Sequence, residues 1–395
     1  KACVIVVMAK MPESTEGRPK ISAFIVEMNT PGVEVTRRCH FMGLKALYNG
    51  VVTFNNVRVP KENLIAGEGR GLKVALTTLN TGRITLPAAC AGMAKRCLEW
   101  ATDWASKRVQ WGQPIGKHDA IAQKLAKMAA QTFAIEAMVR YTSSLVDLDK
   151  KNDIRIEAAM AKLWGTERGW DIVDDTMQIR GGRGYETAQS LEARGEPGIP
   201  VERMMRDCRI NTIFEGSTEI MRLFIAREAL DPHLKIGGPV LNTTLSTDVR
   251  LKAAVQAAGR YALWYPRLWI PFLTCGSDDV ARPFRREARR TRNDSRRLAR
   301  KLFHAMLRHG PKLDKKQVLL GRFVDAGAEL YAQTACLAWA GELIKKGEAG
   351  DAARLVETVK HFCQLSQATV KELFREVGRN SDSGGYQLAR KLIHD

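Results

Sequence analysis

One carboxylate stands in a setting that suits proton transfer, within the segment 213–220 (IFEGSTEI). Glu215 follows two apolar residues and precedes Gly216, which lets a ligand or another backbone come close. Because desolvation favours the neutral form of a carboxyl group, a carboxylate with apolar neighbours can serve as a general base near neutral pH. The alternative is that Glu215 only favours the positive N-terminus of the helix that Ser217 would cap.

A glycine-rich segment, 178–185 (QIRGGRGY), ends a predicted helix. Its backbone amides can approach a phosphate or the ribityl chain of a flavin, with Arg180 and Arg183 as counter-charges. It is neither a Walker loop nor a GxGxxG segment after a strand, so it does not by itself predict a nucleotide site. An ordinary glycine-rich helix end is the alternative.

A third segment, 107–115 (KRVQWGQPI), breaks a helix with Gly and Pro and presents Arg108 and Trp111 at its edge. An arginine in this position can bind a pyrophosphate through two parallel hydrogen bonds. It can equally be a solvated cation at a helix end.

Long helices must position these three segments. Apolar residues spaced three and four apart predict helices over 72–107, 119–149 and 154–180, and a further helix from Ser217 to about Leu230. Long helices joined by short links usually pack as an antiparallel bundle.

Short β-rich runs precede the helices, and a second helical block follows them. The runs are 2–8, 21–28, 32–36 and 51–59. We therefore predict a mainly α chain with a partial β domain at 1–66, a four-helix bundle at 67–232, a Pro- and Gly-containing linker at 233–246 and an additional helical domain at 247–395.

Composition narrows the function class. The 395 residues are 45% hydrophobic and 27% charged, which is ordinary for a globular protein. Eight scattered cysteines without a CxxC pair favour a reducing compartment, cytoplasmic or mitochondrial in type, and predict no metal site. No apolar run is long enough to span a membrane. The net charge of +19 favours anionic partners, whether phosphates, nucleic acid or anionic lipid.

A basic stretch at 282–301 contains ten basic and two acidic residues. Its cations alternate with apolar residues as they do in an interfacial helix, and the stretch follows four aromatic residues. These residues are Trp264, Tyr265, Trp269 and Phe272. The stretch predicts docking on an anionic membrane surface. The alternative is that Leu298, Leu302 and Phe303 pack inside the helical block beneath a solvated basic face.

Seven motifs in register make the chain resemble the acyl-CoA dehydrogenase family over about 21–232, and most closely its long-chain and very-long-chain members, which carry an extra helical C-terminal domain. The motifs are 31–33 (PGV), 54–63 (FNNVRVPKEN), 79–83 (LNTGR), 108–115 (RVQWGQPI), 178–185 (QIRGGRGY), 201–207 (VERMMRD) and 213–222 (IFEGSTEIMR). The resemblance implies an acyl-CoA dehydrogenase-type bundle and an FAD-dependent oxidoreductase that forms a trans-2,3 double bond in a fatty acyl-CoA during fatty-acid β-oxidation.

By position, Glu215 matches the family's catalytic base, which removes the α-proton while the β-hydride leaves for FAD. The resemblance also implies that Gly216 and Arg83 lie at the substrate. In the family, the thioester carbonyl is polarised by the backbone N–H of the base residue and by a flavin hydroxyl, which makes the α-proton removable by a carboxylate.

The resemblance also implies which residues contact the cofactor. Arg108 matches the arginine that reaches the FAD pyrophosphate across a subunit interface. The other matching residues are Gln113, Gln178, Gly181, Gly182, Ser217 and Glu219. They imply at least a homodimer, and electron-transfer flavoprotein is the implied acceptor.

The chain departs from the family in three ways. The family's N-terminal helical domain and the first half of its β domain are missing, so we expect the chain alone to bind flavin poorly and to be inactive. The loop 186–200 looks longer than usual, and position 219 carries Glu where Gln or Asp is common.

Two rival functions remain. An acyl-CoA oxidase, or a relative acting on a substrate other than CoA esters, would share the fold and differ in the acceptor or the substrate. A non-enzymatic basic protein that binds membrane or nucleic acid would explain 282–301 but none of the ordered motifs, so we expect no nucleic-acid partner.

Overall fold

The computed structural model describes residues 2–12, 20–242, 244–270 and 280–394. It is mainly helical with a small β part at its start, which confirms the predicted fold class. The strands are β1 (Val4–Lys10), β2 (Ile21–Glu27), β3 (Val33–Arg38), β4 (Gly50–Phe54), β5 (Leu64–Ile65), β6 (Val109–Gln110) and β7 (Gln113–Pro114). The helices are α1 (Gly71–Lys107), α2 (Asp119–Leu148), α3 (Arg155–Arg180), α4 (Gly182–Tyr185), α5 (Ala188–Ala193), α6 (Val201–Cys208), α7 (Thr218–Leu241), α8 (Thr247–Arg267), α9 (Arg285–His309), α10 (Gln317–Lys346), α11 (Ala352–Glu376) and α12 (Asp382–His394).

The β part consists of two small antiparallel sheets. One has the order β1-β2-β5, and the other pairs β3 with β4 with a register shift between Val35 and Arg37. β4 ends at Phe54, well before the predicted end at Val59. Asn56 has a left-handed φ of 49°, which turns the chain away from the extended conformation.

Four long helices form an up-down-up-down bundle. α1 and α3 run in the same direction. Pro87 of α1 lies against Gly165 of α3, and further along both helices the Arg180 guanidinium of α3 lies 5.0 Å from the ring centre of Trp104 of α1. A Cβ on Gly165 would come within 2.9 Å of the Pro87 side chain, so this glycine permits the close approach.

α2 and α7 run in the opposite direction to α1 and α3. Two ion pairs show this for α7. Arg155 at the start of α3 pairs with Glu228 in the middle of α7 at 3.1 Å, and Arg222 near the start of α7 pairs with Glu167 in the middle of α3 at 2.9 Å. The observed bounds of the first three helices agree with the predicted ones to within a residue, which confirms these helices.

α7 corrects the prediction of a linker. The helix does not end near Leu230 but continues through Pro232 and Pro239 to Leu241. Most of the segment 233–246 is therefore helical. The domain boundaries themselves stay a prediction.

The C-terminal helices share a core with the bundle. One buried cluster includes Ala134 and Trp164 of the bundle together with Ala332 and Phe362 of α10 and α11. The Trp164 indole Nε1 donates a hydrogen bond of 2.9 Å to the buried Glu329 carboxylate. This bond fixes the register of α10 against α3, since an unpaired buried polar group is costly.

The basic stretch lies mainly on α9, and its apolar residues pack inward. Leu298 and Leu302 contact a buried cluster formed by α3, α7 and α10. Phe303 packs against Tyr261, Trp264 and Tyr265. These three α9 residues therefore pack within the helical block, as the alternative predicts, while the exposed arginines lie on the outer face. Phe272 lies outside the described residues.

Candidate functional site

A strained turn holds Glu215 ahead of α7. Glu215 has a φ of 55° and Gly216 a φ of 99°, so two successive residues are left-handed. A left-handed residue other than glycine costs free energy and is found mostly where the surroundings impose it, often at functional sites. Ser217 closes the turn as the N-cap, and its hydroxyl accepts a hydrogen bond from the backbone N–H of Ile220.

The turn aims the Glu215 carboxylate at the backbone of α1. A Cβ added to Gly82 would lie 2.2 Å from Glu215 Oε2, so only glycine leaves room for the carboxylate in this position. Oε2 is buried and accepts no hydrogen bond within the ranges that the structure describes. A buried carboxylate oxygen without a partner calls for a functional explanation.

Two buried cations flank this carboxylate. Arg83, which is next to Gly82, is 5% exposed, and its guanidinium lies 4.6 Å from the Phe224 ring centre. Burial lowers the pKa of Arg83, against the opposing charge of Glu215. Lys162 of α3 is fully buried, and its Nζ donates a hydrogen bond of 2.8 Å to the Gly216 carbonyl. Burial lowers the pKa of Lys162 to about 8, and the nearby Glu215 charge limits the fall.

Glu215, Arg83 and Lys162 together carry a net positive charge when all three are ionised. A carboxylate with an unused oxygen can accept a proton, and Arg83 would stabilise negative charge that develops on a substrate beside it. Sequence reasoning identified Glu215, Gly216 and Arg83 but missed Gly82 and Lys162 as parts of the site. The available signal for Lys162 was a lysine within the otherwise apolar run 158–163.

A polar pocket of about 430 Å³ lies on the other side of the turn. Ser217 and Glu219 line it together with three cations, Arg168, Arg209 and Arg222. Hydrogen bonds from its own backbone N–H and from Ser217 hold the pKa of Glu219 below its usual value. Glu167 and Asp171 also line the pocket and pair with Arg222 and Arg168, so they partly neutralise the arginines that face it. The N-terminus of α7 is the feature of this pocket that suits an anionic group.

The remaining predicted cofactor residues lie at the opposite end of the bundle. Arg108 ends α1 and is exposed, and β6 and β7 form a tight hairpin behind it. Gln113 in this hairpin lies 3.1 Å from the His118 ring nitrogen Nδ1. Trp111 at the hairpin tip is 90% exposed.

The end of α3 lies beside the end of α1. Gln178, Gly181 and Gly182 are exposed, and a Cβ on either glycine would meet no atom within 4 Å. Arg180 is buried against Trp104, and Arg183 pairs with Glu196 at 3.0 Å. Both arginines thus have contacts within the chain, and their role as counter-charges to a ligand stays a prediction.

The two groups of residues are far apart within one chain. Glu215 lies against Gly82, and Arg108 is 26 residues further along α1, which is about 39 Å at the helical rise of 1.5 Å per residue. One dinucleotide cofactor does not span that distance. Residues at the two ends can contact the same cofactor only when a second copy of the chain supplies one of them.

The described residues contain neither a membrane-spanning helix nor a metal-ligand cluster. None of the helices in these ranges is long and apolar enough to cross a membrane. Within the same ranges, His, Cys, Asp and Glu side chains form no group of three or more that could hold a metal ion.

The chain is similar to known acyl-CoA dehydrogenases. A family model described as "Acyl-CoA dehydrogenase, C-terminal domain" matches residues 69–230. The chain is 46% identical to "Probable acyl-CoA dehydrogenase FadE10" of Mycobacterium tuberculosis, over 99% of this chain and 60% of that protein. It is 32% identical to the mitochondrial very long-chain specific acyl-CoA dehydrogenase of Bos taurus, over 88% of this chain and 52% of that protein.

A solved structure shows the same arrangement over nearly the whole chain. The acyl-CoA dehydrogenase from Bacillus anthracis complexed with FAD superposes with a TM-score of 0.75 at 28% identity, covering 99% of this chain and 64% of that one. The chain thus spans less than two thirds of the length of the relatives that it matches.

Proposed function

This chain belongs to the acyl-CoA dehydrogenase family, and we propose that it forms part of an FAD-dependent enzyme that converts a fatty acyl-CoA to a trans-2-enoyl-CoA. The observation that carries the proposal is Glu215 Oε2, which is buried, has no hydrogen-bond partner among the described residues and is held by a strained turn between two buried cations.

Glu215 acts as the base in this proposal. Its free oxygen removes the α-proton of the thioester, and the bond to the β-hydrogen breaks with loss of a hydride as the double bond forms. Arg83 stabilises the negative charge that moves toward the thioester carbonyl, because it is buried where water does not screen it. Gly216 contributes a backbone without a side chain beside the substrate.

FAD, when bound, accepts the β-hydride. Ser217 and Glu219 would hold it at the polar pocket, where the N-terminus of α7 suits a phosphate-bearing group. Arg108, Gln113, Gln178, Gly181 and Gly182 would hold the cofactor of a partner subunit. The open space beside both glycines and the exposed guanidinium of Arg108 fit such a contact.

Because the proposed cofactor contacts come from two subunits, the proposal includes a homodimer or a larger assembly. The distance of about 39 Å between Glu215 and Arg108 supports contacts from two subunits to each cofactor. The similarity to the very long-chain enzyme supports a long acyl chain and a role in β-oxidation. Electron-transfer flavoprotein is the acceptor that we propose; rapid peroxide formation in its absence would identify an oxidase.

A peripheral position on an anionic membrane is also part of the proposal, through charge rather than insertion. Arg285, Arg286, Arg289 and Arg290 are exposed and follow one another at helical spacing on α9. Each would contribute about 1 kcal/mol near an anionic surface. Flotation with anionic vesicles should show binding that high salt removes, and exchange of the four arginines for glutamine should abolish it.

The proposed chemistry is tested by Glu215→Gln in the full-length, flavin-loaded protein. This change keeps the size of the side chain and removes the base, so acyl-CoA-dependent loss of flavin absorbance should slow by several orders of magnitude with flavin content unchanged. A near-native rate in this variant would refute the role of Glu215.

A further inference from the structure

We infer that Lys162 is the positioning residue for the Glu215 base, acting through its hydrogen bond to the Gly216 carbonyl. The inference rests on the proposed function and adds to it a residue that has no contact with solvent. It concerns the geometry of the base rather than the binding of substrate or flavin.

The connection between Lys162 and the turn is direct. Lys162 belongs to α3, a rigid element of the bundle core, whereas Glu215 belongs to a turn that has left-handed backbone at two residues. The hydrogen bond of 2.8 Å from Lys162 Nζ to the Gly216 carbonyl ties this turn to α3. Since a strained conformation persists only when surrounding contacts impose it, loss of this bond should let the turn relax and move the carboxylate.

The charge of Lys162 adds to its hydrogen bond. A buried ammonium is costly unless opposite charge or polar atoms compensate it. The groups that influence Lys162 are Glu215 from the turn, Arg83 and Cys90 from α1, and Glu167 from α3 itself. Glu215 is the largest favourable one, so its charge supports the ionised state of the Lys162 ammonium.

This pairing predicts a pH dependence. Because burial lowers the pKa of Lys162 to about 8, its positive charge is lost over the alkaline range in which ordinary lysines stay protonated. The charge-assisted bond to Gly216 then weakens. Turnover should fall as the pH rises through about 8, whereas Arg in the same place would stay charged.

Lys162→Met in the full-length, flavin-loaded protein tests the inference, since methionine has similar length and packs readily in a core. We expect kcat to fall by about 10²-fold, the loss typical of an ångström-scale misplacement of a reacting group. Flavin content and KM should change less than twofold, and the alkaline fall near pH 8 should disappear. Lys162→Arg should recover part of the rate and move that fall to higher pH.

Thr166→Val is the matched control. Thr166 is fully buried one turn further along α3, and its hydroxyl bonds only to α3 carbonyl groups among the described contacts. This variant disturbs packing but should keep kcat and the wild-type pH profile.

The outcomes separate the two levels of the proposal. Wild-type kcat and a wild-type alkaline limb in Lys162→Met would overturn the positioning role, and so would loss of flavin in proportion to activity. If Glu215→Gln were also active, the proposed function itself would fall.

Discussion

Replacing Gly82 by alanine adds one methyl group to α1 where the Glu215 carboxylate lies against it. The new Cβ would be 2.2 Å from Oε2, 2.9 Å from Cδ and 3.0 Å from Oε1 of Glu215. Ordinary van der Waals contact begins at 3.4 Å, so the carboxylate has to retreat by about 1.2 Å.

The effects on stability and on activity should have opposite signs. Alanine is better than glycine in a helix by about 1 kcal/mol, and the clashing atoms are the end of a flexible side chain that can move. We therefore expect an unchanged or slightly higher melting temperature. A base that is misplaced by about 1 Å loses about 10²-fold in rate, so kcat should fall by that factor.

Single-turnover flavin reduction by acyl-CoA, measured beside thermal unfolding of the same samples, provides the assay. Gly92→Ala is the matched control, because Gly92 lies on the same helix and a Cβ there would meet no atom within 4 Å. It should gain stability and keep its rate. If Gly82→Ala reduced flavin within threefold of the wild-type rate, the assigned position of the Glu215 carboxylate would be wrong.

Three other changes have defined outcomes. Burial holds the pKa of Lys162 near 8, against 10.5 in the unfolded chain, so the unfolded state binds more protons between these two pH values. The free energy of unfolding, measured by chemical denaturation, should therefore rise with pH in this range by at most about 1.4 kcal/mol per pH unit. Lys162→Met should lack this rise. Arg222→Met removes the cation that Glu167 and Asp325 share, and burial raises the pKa values of both carboxyl groups. We therefore expect the free energy of unfolding in urea to fall by about 3 kcal/mol. A fall below about 1 kcal/mol would mean that the ion pairs are effectively solvated. Arg108→Lys keeps the charge but not the two-pronged geometry, so flavin retained after gel filtration should fall, and full retention would exclude a pyrophosphate contact.

The bundle was predictable from the sequence because its helices are long, periodic and bounded by Gly and Pro. α7 was not, because Pro232 and Pro239 usually end a helix, whereas here both lie inside one. Packing of Met221, Ile225 and Leu230 into a buried cluster holds the helix in place before the first of these prolines.

The site was predictable only in part. The residue types around Glu215 indicate a base, but its geometry depends on partners that are remote in sequence. Lys162 is 54 residues away from Gly216, and Gly82 meets Glu215 across the bundle. Such contacts follow from how helices pack against each other, which local periodicity does not determine. Helical periodicity alone places a lysine on the solvent-exposed side of a helix, so it does not predict that Lys162 is buried.

The core shared by the bundle and the C-terminal helices has a consequence during synthesis. The apolar faces of α2 and α3 pack against α10. α10 ends at Lys346, which is 105 residues after the end of α7 at Leu241. At a translation rate of about 5 to 20 residues per second, those faces stay uncovered for roughly 5 to 20 seconds on the ribosome. That interval is long enough for a chaperone to bind, and a chain released before α10 would present the same faces to its neighbours.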